Sequence, residues 1–172
     1  FSQVHGQDYT HSFSATMRAT SFRILMSLAA GEKLKLHHFD VTNAFTQSEI
    51  DAEIYVEPPL GFTTIGKDGK PMVLKLKKSL YGTKQAARLW QLTLRDFLVL
   101  PEDKGGLGFT NSTHDPCLFS KRDPDGSITL LGCYVDDIIL AHNGKKFDWF
   151  VEKFTTKFRS KLQGELSWYL GM

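Results

Sequence analysis

Apolar residues Met17, Ile24, Leu25 and Leu28 recur at helical spacing, which predicts a first helix capped by Ser14 and stopped at Gly31. Leu34 to Val41 then predicts a strand leading to Asp40, with a short helix starting at about Asn43. Beyond an extended Ile54-Tyr55-Val56, the prolines of Glu57-Pro58-Pro59-Leu60-Gly61-Phe62 forbid continued ladder pairing and predict a turn. Lys67-Asp68-Gly69-Lys70 predicts a hairpin turn before a strand from Met72 to Leu76. Ala86, Leu89, Trp90, Thr93, Leu94 and Phe97 form one stripe of a helix from Lys84 to Leu100, ended by Pro101 and Gly105-Gly106. Asp123-Pro124-Asp125-Gly126 predicts the turn of a hairpin joining Cys117–Lys121 to Ser127–Val135. Phe147, Phe150, Val151, Phe154 and Phe158 keep the spacing of an amphipathic helix lying on a sheet. No repeat or long linker interrupts this alternation, so the expected fold class is α+β in one domain over residues 1–172.

Composition narrows the classes. A length of 172 residues suits one domain with a sizeable core, and 41% hydrophobic with 23% charged residues excludes disorder, collagen-like repeats and disulfide scaffolds. Cys117 and Cys133 both sit beside apolar residues, which predicts small buried thiols; with no histidine paired to them, a zinc site is not expected. No apolar run reaches the roughly 20 residues of a membrane span, and Phe1-Ser2-Gln3-Val4-His5 lacks the layout of a signal peptide, so the expectation is a soluble, intracellular chain. Without an initiating Met, and ending at Tyr169-Leu170-Gly171-Met172 in what the pattern gives as a strand, it is expected to be a piece of something longer. Net charge is only +2, yet seven basic residues fall from Lys67 to Arg88 against one acid, Asp68, just after the acidic Glu49, Asp51, Glu53 and Glu57. Such a stripe is either a solvated face or a groove that tracks phosphates.

The candidate chemistry lies in Leu130-Leu131-Gly132-Cys133-Tyr134-Val135-Asp136-Asp137-Ile138-Ile139-Leu140-Ala141, an apolar run broken by two adjacent carboxylates. Ionised carboxylates are costly inside such a run, so the pair belongs in an exposed turn or on a cation. Asp40, at the end of its own strand, is either a helix cap or a metal ligand. Taken together, one strand end and one hairpin tip supply carboxylates from two elements, as two-metal phosphoryl transfer requires.

The chain resembles the polymerases of copia-type long-terminal-repeat retrotransposons over nearly its whole length. The resemblance is carried by Gly6-Gln7-Asp8-Tyr9-Thr10 with Phe13-Ser14, Asp40-Val41 with Ala44-Phe45, Tyr55-Val56 with Pro58-Pro59-Leu60-Gly61-Phe62, and Lys78-Ser79-Leu80-Tyr81-Gly82 with Lys84-Gln85-Ala86 and Arg88. It continues through Asp115-Pro116-Cys117-Leu118-Phe119 and Tyr134-Val135-Asp136-Asp137 to Tyr169-Leu170-Gly171. It implies the fingers and palm of a right-hand polymerase, with an antiparallel palm sheet and the thumb missing. Asp40, Asp136 and Asp137 become the catalytic carboxylates, holding two Mg²⁺ ions (or Mn²⁺ in their place) with the Val41 carbonyl, and Asp137 is the more peripheral ligand. Phe45, with Ala44, lies under the sugar of the incoming nucleotide, its ring excluding a 2′-hydroxyl, and Lys84 and Gln85 touch the nucleotide. Lys75, Lys77, Lys78, Lys84, Arg88 and Tyr134 line the nucleic acid.

The implied partners are an RNA or DNA template with its primer, deoxynucleoside triphosphates and the remainder of a Gag-Pol-type polyprotein, with no membrane. The implied setting is a cytoplasmic virus-like particle, extending to the nucleus. Four positions depart from the family's usual pattern: Ala15 and Ala87 stand where proline is usual, Thr83 for leucine and Ser48 for glycine. None is a metal ligand. A second reading is an inert relic that folds and binds nucleic acid through Lys67 to Arg88 without polymerising.

Overall fold

Six strands make one antiparallel sheet in the order β4 (Thr110–Asn111), β5 (Leu118–Arg122), β6 (Ile128–Tyr134), β7 (Asp137–His142), β1 (Lys35–Val41), β8 (Ser160–Glu165). The structure, a computed structural model, describes residues 3–167 and 169. Apart from Tyr169, the strand expected at the chain's end falls outside them. A separate two-stranded ladder pairs β2 (Tyr55–Val56) with β3 (Leu74–Lys75). The chain is therefore α+β, as the alternating pattern implied, with an antiparallel sheet, as the resemblance implied.

Directly paired residues of antiparallel strands point to the same face, and that rule divides the sheet. Phe39, Ile138 and Cys133 are register partners on one face, followed by Leu140 and Leu131. That face is covered by α2 (Ala86–Val99) and α3 (Phe147–Lys157), Phe39 meeting Phe150 and Phe154 edge-on at 5.6 and 5.7 Å. Each fully buried ring of this kind contributes roughly 1.5 to 3 kcal/mol relative to leaving it in water. The opposite face carries His38, Asp40, Asp137, Ile139, Gly132 and Tyr134. There α1 (Ala19–Gly31) and the residues leading into it cross so closely that a Cβ on Gly132 would lie 2.8 Å from Met17 Sδ and 3.1 Å from Leu25 Cδ1.

Ser14 does not cap α1. Its hydroxyl lies 3.2 Å from the Ala87 carbonyl on α2, and the helix starts at Ala19 after a side-chain-free cap at Arg18. The exposed Arg18 amide instead donates to the buried Asp115 carboxylate at 3.0 Å, which also accepts the Cys117 amide at 2.9 Å. Burial works against the charge on Asp115, but bonds from Ser21, Arg18 and Cys117 hold its carboxyl below the usual range. Strand β3 is shorter than the expected Met72–Leu76, because its partner β2 ends at the Pro58-Pro59 turn.

On the helix-covered face, His37 Nδ1 and His142 Nε2 lie 3.3 Å apart, and Phe147 stacks on both rings at 4.1 and 4.5 Å. Burial lowers both imidazoles below their ordinary value. A lowered value in the folded chain means the unfolded chain binds more protons just below about pH 6.5, so stability falls as pH falls through that window. His142→Leu is expected to reduce this loss, leaving the part that His37 carries, so the urea midpoint should fall less steeply between neutral and mildly acidic pH; an equally steep fall in the variant would assign the effect elsewhere.

Candidate active site

Asp40, the sixth residue of β1, sits directly opposite Asp137, the first of β7, so both side chains leave the face free of α2 and α3. Asp136 precedes Asp137 in the two-residue turn Val135-Asp136 that joins β6 to β7, and its carbonyl accepts the Val41 amide at 2.9 Å. The three carboxylates thus come from two neighbouring strands closed together at one end. Their side chains are half-buried on an open surface. Burial, with the charges of Asp137 and Asp40 adding to it, pushes the Asp136 carboxyl above the usual carboxylate range. A cation at this place would relieve that penalty.

Asp137 is held from the side by His38, whose Nε2 lies 2.8 Å from Oδ1. Among the described residues no three His, Cys, Asp or Glu side chains are already closed into a metal cage. The donor set itself, all oxygen and from two elements, suits hard divalent ions. Tyr169 packs edge-on against His38 at 5.7 Å and stacks on Phe22 at 5.4 Å, its phenol pushed well up by burial and by Asp137.

Beyond Val41, Asn43 takes a left-handed conformation (φ 51°), tolerable for this residue type, and starts the short 3₁₀ turn Ala44–Gln47. That turn buries Ala44 completely and leaves the Phe45 ring half-buried, 4.5 Å from the ring of Tyr81. Burial raises the Tyr81 phenol, and the charges of Asp136 and Asp40 raise it further.

Tyr81 and His38 are the site residues that sequence reasoning left without a role. A signal existed for His38, two residues before Asp40 and so on the same face of a strand. For Tyr81 the resemblance offered only its place in Lys78-Ser79-Leu80-Tyr81-Gly82.

Lys84 is exposed, and its amide is tied to Gln3 Oε1 at 2.7 Å. Gln85, expected at the nucleotide, is fully buried; its amide donates to the Asp8 carbonyl at 2.8 Å and to Asp51 at 3.2 Å, and accepts from Gln3 at 2.9 Å. Ala44, likewise expected at the nucleotide, is also fully buried. Lys77 and Lys78 are exposed and Arg88 is half-buried. Lys75 is paired with Glu53 at 2.9 Å, so the acidic stretch partly neutralises the basic one. Tyr134 is the register partner of Asp137, on the carboxylate face. The unusual Thr83 and Ser48 are buried, their hydroxyls donating to Leu80 and Phe45 carbonyls at 2.8 and 2.9 Å.

The family described as reverse transcriptase (RNA-dependent DNA polymerase) matches over residues 1–172. The chain belongs to this family. It is 37% identical over 145 residues to the retrovirus-related Pol polyprotein from transposon TNT 1-94 of Nicotiana tabacum, covering 84% of this chain and 10% of that one. Against the corresponding polyprotein from transposon RE1 of Arabidopsis thaliana, identity is 34% over 173 residues, covering 100% and 11%. A Ty5-1 transposon protein of Saccharomyces cerevisiae is 30% identical over 134 residues, covering 77% of this chain and 41% of its own length. No solved structure matches the chain. The copia-type resemblance drawn from the motifs is thereby borne out. This reverse transcriptase domain spans about a tenth of the two plant polyproteins it matches. Among its described residues no helix is long and apolar enough to cross a membrane.

Proposed function

We propose that residues 1–172 form the fingers and palm of an RNA-directed and DNA-directed DNA polymerase that extends a primer 3′-hydroxyl with deoxynucleotides. The observation that carries this reading is the placement of Asp40 opposite Asp137 in register, with Asp136 in the adjoining turn. The six-stranded sheet is the palm, and the β2–β3 ladder belongs to the fingers. Two Mg²⁺ ions, or Mn²⁺, held by Asp40, Asp136 and the Val41 carbonyl with Asp137 alongside, would activate the 3′-hydroxyl and stabilise charge on the α-phosphate and pyrophosphate.

The chain's own residues supply the rest. His38 orients Asp137, the Phe45 ring closes the space beside the nucleotide sugar, and Tyr81 backs that ring. Tyr134 faces the primer end. Lys77, Lys78, Lys84 and Arg88 follow the phosphates, Lys75 contributing less while Glu53 holds it. The remainder of a Gag-Pol-type polyprotein is the covalent partner.

If the basic residues track phosphates, primer-template affinity should fall steeply with salt, each neutralised phosphate adding about 0.9 to the slope of log affinity against log salt on duplex DNA. Charge reversal at Lys84 and Arg88 together should flatten the slope by about 1 to 2 units on any template sequence, since phosphate contacts carry no sequence information. An unchanged slope in the folded double variant would make them an ordinary solvated helix face. For the chemistry, the test is incorporation of a labelled deoxynucleotide onto a DNA primer annealed to homopolymer RNA with Mg²⁺ or Mn²⁺. A folded chain that binds this duplex and adds nothing would sink the polymerase reading.

A further inference from the structure

Val135 opens the turn between β6 and β7 with φ 59°. β-branched residues rarely take this left-handed conformation, and it persists only where the surroundings impose it. Both carbonyls of the turn are held. Asp136 O accepts the Val41 amide at 2.9 Å, and Val135 O accepts Trp90 Nε1 at 2.7 Å.

Trp90 can impose such a constraint because it is buried and packed. It is 2% exposed, on the core face of α2, and meets Phe158 edge-on at 5.1 Å. An indole N–H only donates and has a single direction, so a wedged ring fixes where its acceptor must be. A Trp buried purely for packing would serve as well with its nitrogen satisfied by any nearby carbonyl. Here the acceptor is the one strained residue next to Asp136 and Asp137.

We infer that Trp90 is a positioning residue: its indole holds Val135 in the left-handed conformation, and so aims Asp136 and Asp137 toward Asp40. Because Arg88 lies in the first turn of the same helix and Lys84 just before it, Trp90 also ties the carboxylate turn to the basic end of α2. The catalytic meaning of this role rests on the polymerase reading; the mechanical claim does not.

The test uses the 172-residue chain. Trp90→Phe keeps an aromatic ring and removes the donor. Hydrogen exchange of the Val41 amide, which bonds to Asp136, reports the turn without metal or substrate. Its protection should drop about tenfold in Trp90→Phe, roughly the worth of one hydrogen bond, while the Phe39 amide is unchanged. Adding Val135→Gly should restore it, since glycine takes positive φ without steric cost. Mn²⁺ binding, followed by electron paramagnetic resonance, should weaken and recover in the same order.

Unchanged Val41 protection in Trp90→Phe, or no recovery in the double variant, would overturn the proposal. If wild type binds no Mn²⁺ while Val41 still responds, the metal reading fails and the positioning role stands. Should Trp90→Phe not fold, 3-benzothienylalanine at position 90 keeps the bicyclic shape, lacks the N–H and must give the same loss of protection.

Discussion

Asp136→Asn is expected to lower nucleotide incorporation by on the order of a thousandfold or more, because losing several kcal/mol of metal-borne charge stabilisation costs a factor of ten per about 1.4 kcal/mol. The substitution keeps the volume of the side chain and removes the charge. Folding should survive it. The Asp136 carboxyl lies above its usual range in the folded chain, so the folded state binds its proton more tightly than the unfolded one, and its ionisation opposes folding as pH rises. A neutral amide removes that penalty, and the urea midpoint of the metal-free chain near neutral pH should stay level or rise. Single-turnover incorporation beside the unfolding curve separates the two effects. A variant within tenfold of wild type would take Asp136 out of the chemistry, and a variant that fails to fold would show that the carboxylate is structural.

Phe45→Val should relax sugar selection by up to about a hundredfold while deoxynucleotide incorporation stays within a few-fold, since overfilling a packed site costs roughly 1 to 3 kcal/mol. The structure adds a second handle. The Phe45 ring rests 4.5 Å from the half-exposed Tyr81, so on the proposed reading the wall beside the sugar would be a pair of rings. Tyr81→Ala should therefore loosen selection in the same direction by letting Phe45 swing away. The comparison is the ratio of kcat/KM for a deoxynucleotide and its ribonucleotide in wild type and both variants. Equal ratios throughout would remove the pair from sugar discrimination.

Much of this architecture was legible because local pattern and fold agree. The stripe from Ala86 to Phe97 and the phenylalanines from Phe147 to Phe158 are periodic over several turns, and both became helices on the sheet. Asp40 and the Asp136-Asp137 pair were legible as charges interrupting apolar strands, and pairing in register brought them to one end of the sheet.

What could not be read locally is tertiary in origin. Ser14 has the chemistry of a cap, but the partner of the α1 start is Asp115, 97 positions away, and Ser14 faces α2 instead. His38 meets Asp137 across a separation of 99. Gln85 sits in a motif that suggests an exposed polar contact, yet the irregular segment around Gln3 and Asp8 folds over it and uses its amide. The basic stretch and the acidic one before it read as separate runs, yet Glu53 lies beside Lys75. In each case the deciding atom belongs to a distant part of the chain.

The most direct test of the carboxylate centre is Fe²⁺-mediated backbone cleavage with ascorbate and peroxide, mapped by mass spectrometry, because Fe²⁺ replacing the ions cuts only where it is bound. The account predicts cuts clustered at the end of β1, around Asp40 to Thr42, and at the turn from Tyr134 to Asp137, suppressed by excess Mg²⁺ and lost in Asp136→Asn. Cuts elsewhere in a folded chain, or the same cuts in Asp136→Asn, would contradict it.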